Sequence, residues 1–103
     1  MKTIYEYVNV SASVRLEEIV ENKLAPLFIK YPSLVRAQVF FKLENSNSEE
    51  NKHCGIKLSV PGPIIYASSN EESFEKAILK VSKDLNKLLE KRKDSFNSYV
   101  KTA

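Results

Sequence analysis

The sequence predicts an α+β domain in which a four-stranded sheet carries two helices on one face, in the order β-α-β-β-β-α. Four segments alternate apolar and polar residues, which is the period of a half-buried strand. Two other segments repeat apolar residues every three or four positions, which is the period of an amphipathic helix. The last three strands are joined by short links, and this favours an antiparallel meander with one apolar face that both helices cover.

The first strand is predicted over residues 2–10, which are rich in β-branched and aromatic side chains. Ile4 and Val8 are placed on its inner face, and the two tyrosines of the segment on the other. Glu6 shares the face of Ile4 and Val8, and a carboxylate is costly to bury without a partner. We therefore expect this strand to lie at the edge of the sheet, or Glu6 to have a partner.

The first helix is predicted to begin after Ser13, a suitable N-cap, with Glu17 and Glu18 near the positive end of the helix. Pro26 is expected to kink or end this helix near its last turn, and the Tyr-Pro pair at 31–32 indicates a turn. The apolar stripe of the helix comprises Leu16, Ile19, Val20, Leu24 and Leu27.

The next three strands are predicted over residues 34–44, 54–60 and 64–69. The first of these alternates most clearly, since every second position from Val35 to Leu43 is apolar. The polar segment "NSNSEENKH" indicates a solvated hairpin loop, and "PGP" indicates a tight turn. Each strand has one apolar face, so the sheet is expected to be covered on one side.

The second helix is predicted to begin near Ser69 and Asn70 and to run to about residue 96. Ser69 and Glu72 have the spacing of a capping box, and Asn70 is an alternative cap. Residues 97–103 are expected to fray, as chain ends often do. The core stripe of the helix comprises Phe74, Ile78, Val81, Leu85 and Leu88 or Leu89.

Length and composition bound the class of protein. The 103 residues fit a single domain, 1–103, and the net charge is +3. The sequence holds no apolar run long enough to span a membrane, and its N-terminus lacks the apolar stretch of a signal peptide. A single cysteine, Cys54, leaves no internal disulfide. These features predict a cytoplasmic protein.

Basic residues form a second stripe along the second helix. Like charges at this spacing repel by about 0.2–0.5 kcal/mol per pair, so the stripe has a cost for the helix. One interpretation is a solvated lysine face, and the other is a row of cations that follows a phosphate backbone by shape and charge. The stripe comprises Lys76, Lys80, Lys83, Lys87 and Lys91, and Arg92 and Lys93 extend it.

Four stretches resemble the ribosome hibernation-promoting and ribosome-associated translation-inhibitor proteins, also called sigma-factor modulation or ribosomal subunit interface proteins. They are "RLEEIVENKLAPL" in the first helix, "LSVPGPIIYASS" across a strand, turn and strand, and "EESFEKAI" and "DLNKLLEKRKD" in the second helix. The likeness covers residues 2–95, and the order and spacing of the stretches carry it more than any single motif.

The resemblance implies a fold similar to double-stranded RNA-binding domains, which agrees with the order of elements above. It implies binding to the small ribosomal subunit through rRNA, in the channel between head and body where mRNA and tRNA lie. The expected function is to inhibit translation and store inactive ribosomes under stress or in stationary phase, without catalysis or a cofactor. The chain resembles the short form of the family, because the long form carries a further C-terminal dimerisation domain. Its oligomeric state stays open.

The basic stripe and the family resemblance together predict which residues bind RNA. Lys23 falls on a family lysine of the first helix, whereas Asp84 stands where the family usually has a lysine. Lys87, Lys91 and Lys93 fall on basic positions of the last helix. The expected RNA-binding residues are Lys23, Lys76, Lys80, Lys83, Lys87, Lys91, Arg92 and Lys93, with Arg36 and Lys42 as additional candidates.

An enzyme is not predicted. His53 and Cys54 are adjacent on a strand, so their side chains point to opposite faces and cannot act as a base and nucleophile pair. The sequence has no glycine-rich phosphate loop and no Cys/His spacing of a metal site. No metal, cofactor or small-molecule substrate is therefore expected.

Aromatic residues offer an alternative surface. Tyr5, Tyr7, Phe40 and Tyr66 are candidates for stacking on bases, with packing inside the sheet as the simpler interpretation. Tyr7 and Phe40 are singled out as a pair that would share an exposed surface. The alternative function is a protein-interaction module of the same fold that uses its outer sheet face, with the lysines as a soluble coat. RNA binding would weaken with salt, whereas such a protein contact would not.

Overall fold

The computed structural model describes residues 2–45 and 47–102, with side chains described as far as Arg92. The elements follow the predicted order β-α-β-β-β-α, so the predicted fold class is confirmed. Their bounds are β1 Lys2–Val8, α1 Val14–Lys30, β2 Arg36–Leu43, β3 Lys52–Ser59, β4 Ile65–Glu71 and α2 Phe74–Thr102.

The four strands form one open sheet in the order β1-β2-β3-β4. β2, β3 and β4 pair antiparallel, which confirms the predicted meander. β1 pairs parallel with β2, because α1 carries the chain back to the end of the sheet at which β1 began. The edge position predicted for β1 is confirmed, and Glu6 is exposed there.

A single apolar core lies between one face of the sheet and both helices. Alternate residues of the middle strands point into it, such as Val39 and Ile56, which are directly paired and fully buried. α1 contributes its predicted stripe, of which Ile19 is only partly buried. Leu88 is 41% exposed, so only Leu89 of this pair belongs to the core. The other buried residues of α2 are Ala77, Ile78, Val81 and Leu85.

The inner face of β1 differs from the prediction. Tyr5 and Tyr7 pack against the core, whereas Ile4 and Val8 lie on the opposite face of the strand. The Tyr7 ring stacks on Phe41, with ring centroids 5.4 Å apart. The aromatic rings take the inner position because they are long enough to fill the space between the edge strand and α1.

The hydroxyl groups of these tyrosines attach α1 to the edge strand. Tyr5 donates a hydrogen bond to Glu21 Oε1 at 2.7 Å, and Tyr7 donates one to Glu17 Oε2 at 2.6 Å. Burial, followed by the hydrogen bonds to these carboxylates, raises the pKa of both phenols above its ordinary value. Two glutamates of α1 therefore serve as hydrogen-bond acceptors that hold the helix on the sheet.

The beginning of α1 is as predicted. Ser13 is the N-cap, and its Oγ accepts a hydrogen bond from the Leu16 N–H at 3.2 Å. The helix continues for one turn after Pro26 and ends at Lys30, within the region where the proline was expected to end or kink it.

The predicted cap of α2 is wrong. β4 continues through Ser69 and Asn70, because both residues pair with β3. The cap is Ser73, whose Oγ accepts a hydrogen bond from the Lys76 N–H at 3.2 Å. At its other end α2 extends to Thr102, beyond the predicted end, and the expected fraying of the chain end stays a prediction.

Alkaline pH is expected to remove the stabilisation that Tyr5 and Tyr7 supply. Because their pKa is higher in the folded chain than in the unfolded chain, the folded state keeps protons that the unfolded state releases. The contribution of these two phenols to the free energy of unfolding should therefore be constant from neutral pH to about pH 10 and fall as the pH rises above it. The double variant Tyr5→Phe, Tyr7→Phe should be less stable by about 1–2 kcal/mol near neutral pH, and this difference should shrink above about pH 10.

Urea unfolding followed by circular dichroism at a series of pH values measures this difference. Tyr66→Phe is the control, because it removes a half-exposed phenol outside these two pairs. A difference between the double variant and the wild type that stays constant with pH would contradict the assignment.

Candidate nucleic-acid interface

The outer side of α2 is set by its buried stripe. Five lysines lie on the side of the helix opposite the buried residues, and at 3.6 residues per turn they fall within an arc of roughly 80° around the helix axis. This lysine row extends for about 22 Å along the axis. All its members are exposed, and they are Lys76, Lys80, Lys83, Lys87 and Lys91.

The N-terminal part of this lysine row carries ion pairs. Lys76 Nζ lies 3.3 Å from Glu72 Oε2, and Lys80 Nζ lies 3.0 Å from Asp84 Oδ1. Both pairs join exposed residues four positions apart, where an ion pair contributes about 0.3–0.5 kcal/mol and is screened by salt. Lys76 and Lys80 therefore face solvent, but neighbouring carboxylates compensate part of their charge.

In the C-terminal part of the row no ion pair is formed within the described side chains, and the row is called uncompensated there in this sense. Among the described residues, Lys83, Lys87 and Lys91 have no carboxylate at ion-pair distance. Lys83 has a lysine three positions before it and another four positions after it, and no carboxylate at either spacing, so the helix retains a repulsion of about 0.2–0.5 kcal/mol per pair there. An anionic partner would relieve this repulsion.

α1 adds charge to the same side of the molecule. A groove of about 410 Å³ runs between the two helices and is lined by Lys23 and Lys30 of α1 and by Lys83 of α2. Leu79, which is 46% exposed, adds apolar surface to the groove. Lys30 Nζ also lies 3.5 Å from Glu90 Oε1, so it forms an ion pair across the groove.

Lys30 is the groove residue that the sequence interpretation missed. It follows Lys23 by two helical turns, so the two side chains share one face of α1. Applying to α1 the spacing test that identified the lysine row of α2 would have found it.

The remaining predicted RNA-binding residues lie elsewhere. Arg92 Nη1 donates a hydrogen bond to the Pro63 carbonyl at 2.5 Å, which holds its guanidinium on the turn between β3 and β4. The Lys93 side chain lies outside the described residues. Arg36 and Lys42 lie on the face of the sheet that points away from the helices, so they do not share a surface with the lysine row.

The first half of α1 has the opposite charge. Glu17, Glu18 and Glu21 line a second concave surface there, and Arg15 Nη1 is paired with Glu75 Oε2 at 3.0 Å. α1 is therefore acidic towards its beginning and basic towards its end. An anionic ligand is attracted to the basic end and repelled from the acidic one, which fixes the direction of its approach.

His53 and Cys54 do not form a base and nucleophile pair. Cys54 is fully buried and His53 Nδ1 lies 2.6 Å from Asn70 Oδ1, so the two residues point to opposite faces as predicted. Burial raises the pKa of the Cys54 thiol to about 12, which keeps it protonated near neutral pH. No cluster of His, Cys, Asp and Glu in the described part could hold a metal ion. The helices there are also too short or too polar to cross a membrane.

The four candidate aromatic residues divide between the two faces of the sheet. Tyr5 and Tyr7 lie beneath α1, whereas Phe40 and Tyr66 lie on the open face. The expectation that Tyr7 and Phe40 share a surface is wrong, because Tyr7 stands opposite Phe41 in the register of β1 and β2. Only Phe40 and Tyr66 therefore remain as candidates for a stacking surface.

The chain is similar to known proteins in its sequence and in its structure. Residues 3–97 match the model of a family described as sigma 54 modulation protein / S30EA ribosomal protein. A ribosomal subunit interface protein from Coxiella burnetii has a similar structure, with a TM-score of 0.80 and 20% identity over 91% of this chain and 99% of that chain. The Protein Y N-terminal domain from Thermus thermophilus gives a TM-score of 0.70 and 20% identity over 87% of this chain and 93% of that chain. At this identity the two structures support the fold alone. No curated protein matches the sequence.

Charge reversal in the uncompensated part of the lysine row is expected to stabilise the chain. Lys83→Glu removes two repulsive pairs and creates two attractive ones, with Lys80 and Lys87, and no carboxylate stands three or four positions from it. The free energy of unfolding should rise by about 1 kcal/mol at low salt, and the gain should shrink as salt is added.

Lys87→Glu is the matched control, because it makes the same change of charge in the same row. Its new attraction to Lys83 and Lys91 is offset by repulsion from Asp84 and Glu90, so the stability should be nearly unchanged. Denaturant unfolding of the two variants at low and high salt measures the difference. Equal effects of the two reversals would contradict the repulsion between Lys83 and its neighbouring lysines.

Proposed function

The chain belongs to the sigma 54 modulation protein / S30EA ribosomal protein family, and on that basis we propose that it binds the small ribosomal subunit through rRNA. The observation that carries the proposal is the set of uncompensated lysines on α2 beside the basic groove between the helices. The fold supports it, because the solved structure of a ribosomal subunit interface protein is similar over nearly its whole length.

The lysine row suits the backbone of folded RNA. Lys83, Lys87 and Lys91 are separated by about 6 Å along the helix axis, so neighbouring ammonium groups can reach neighbouring phosphates. Lys23 approaches the same ligand from α1, on the other side of the groove. Lysine is a compact point charge rather than a planar fork, so these contacts hold the RNA by shape and charge and do not read its bases.

The exposed ion pairs extend this surface. Lys76 and Lys80 form ion pairs with carboxylates, and each pair contributes only about 0.3–0.5 kcal/mol to the stability of the helix. A phosphate that approaches the row offers each ammonium group a second acceptor without unfolding the helix. We therefore place these two lysines at the margin of the interface and the uncompensated lysines at its centre.

The proposed mechanism is occlusion. A bound chain fills the channel between head and body of the small subunit, where mRNA and tRNA would lie, and so inhibits translation. No bond is made or broken, and the protein acts in the cytoplasm under stress or in stationary phase. Release requires only that the phosphate contacts be displaced, which makes binding sensitive to salt.

The alternative, a protein-interaction module that uses the outer sheet face, predicts a different dependence on salt. That face is exposed and carries Tyr66 and the neighbouring Ile64, which are 47% and 56% exposed. Retention of the chain on ribosomes at low and high salt separates the two functions, because only the phosphate contacts weaken steeply with salt.

The double variant Lys87→Glu, Lys91→Glu is expected to lose co-sedimentation with purified small ribosomal subunits. Each lysine that contacts a phosphate contributes close to one unit to the slope of log affinity against log salt, so the remaining binding should also depend less on salt. The variant should fail to inhibit translation of a reporter mRNA in a cell extract.

Single charge reversals supply the control for this experiment. Lys87→Glu should weaken co-sedimentation, whereas Lys52→Glu, at the start of β3, should leave it unchanged despite the same change in net charge. Circular dichroism confirms that each variant is folded. Retained co-sedimentation of the double variant at moderate salt would refute the proposed interface.

A further inference from the structure

One face of the sheet is left open. Both helices pack on the other face, and within residues 2–45 and 47–102 the outward side chains are not covered by a further element. The outward residues form rows across the strands, one of which joins Phe40 of β2 to Gly55 of β3. The adjacent row joins Lys57 of β3 to Tyr66 of β4. These four residues are neighbours on a surface that the helix interface does not use.

Gly55 allows Tyr66 to lie against the sheet. A Cβ atom at position 55 would stand 2.7 Å from the Tyr66 hydroxyl oxygen, which is closer than Cβ atoms approach other atoms, and 3.3 Å from its ring carbon Cζ, which is a tight contact. The phenol end of Tyr66 therefore rests on the β3 backbone, at a place where another residue would displace it. Tyr66 is 47% exposed, so the rest of the ring is open to a ligand.

A second ring and a cation lie beside it. Phe40 stands directly opposite Gly55, next to the phenol end of Tyr66. Lys57 Nζ lies 5.9 Å from the centroid of the Phe40 ring, within the range of a cation–π contact. An aromatic surface with an adjacent ammonium group matches a nucleotide, which has a flat base and an anionic phosphate.

The charge of the open face also favours an anionic ligand. Of the outward-facing side chains on the four described strands, Glu6 is the one that is acidic, and it is paired with Phe40. Glu44, directly after β2, adds a carboxylate beside His53 and Asn70. The basic residues of the face outnumber these two carboxylates, whereas the centre of a protein–protein interface is depleted in charged residues. The outward basic residues are Lys2, Arg36, Lys42 and Lys57.

We infer that the open sheet face binds single-stranded RNA by stacking an unpaired base on Tyr66, with Lys57 placed to meet an adjacent phosphate. Arg36 and Lys42, which the sequence analysis had added to the helix interface, belong to this second surface. The inference concerns a different face from the lysine row and does not depend on ribosome binding. Stacking tolerates any base, so it requires no base-specific hydrogen bonds.

Two RNA octanucleotides that carry a fluorescent label test the inference with the full chain, by fluorescence anisotropy. One has uracil bases, and the other has the same sugar-phosphate backbone without bases. Phosphate contacts bind both alike, whereas a stacking site binds only the first. The wild type should prefer the base-bearing RNA about tenfold, Tyr66→Ala should abolish the preference, and Tyr66→Phe should keep it.

Two further variants separate this site from the helix interface and from a general loss of apolar surface. Lys87→Glu should weaken the base-free octanucleotide at least as much as the base-bearing one, so the preference should be kept or should rise, and the two proposals fail independently. Ile29→Ala is the control for a lost apolar side chain, because Ile29 is 81% exposed on α1.

The inference is overturned if the wild type binds both octanucleotides equally, or if the preference persists in Tyr66→Ala. Equal binding by a folded wild-type chain would favour a protein partner for the open face instead. As a second measurement, an octanucleotide that contains 4-thiouridine should cross-link under light to the peptide that carries Tyr66. A cross-link confined to α2 would count against the site.

Discussion

Burial of the apolar stripe of α2 against the sheet is the interaction on which the rest of the structure depends. Ile78, Val81 and Leu85 are fully buried, and the burial of each contributes about 1.5–3 kcal/mol. Repulsion between neighbouring lysines costs only about 0.2–0.5 kcal/mol per pair, so the core fixes the rotation of the helix whatever its outer side carries. The lysine row faces solvent for this reason, and α1 packs beside it to complete the groove.

Acidic and basic side chains of the two helices lie at different places in the molecule. Glu17 and Glu21, in the first half of α1, accept hydrogen bonds from the tyrosines of the edge strand and so stabilise the packing of the helix on the sheet. Uncompensated lysines lie towards the other end, beside the groove. The molecule thereby separates acidic residues that stabilise it from basic residues that face solvent.

Much of the fold follows from local spacing. Periods of two and of 3.6 residues identified all the strands and helices, because side-chain direction repeats with the backbone geometry of each element. The same rule placed Leu16, Val20 and Leu24 in the core of α1 and put the lysines of α2 on one side. The ion pair between Lys80 and Asp84 was also within reach of the sequence, since its residues are four positions apart.

The sequence by itself thus determined the order of the elements, the buried stripes of the two helices and the shared side of the lysines, because each depends on residues close together in the chain. Only the tertiary structure decided features that need distant partners. Ser69 and Asn70 have the spacing of a helix cap, but pairing with β3 draws them into a strand. Tyr7 turns inward because Phe41 receives its ring and α1 its hydroxyl, and Lys23 meets Lys83 because the core packs the helices side by side.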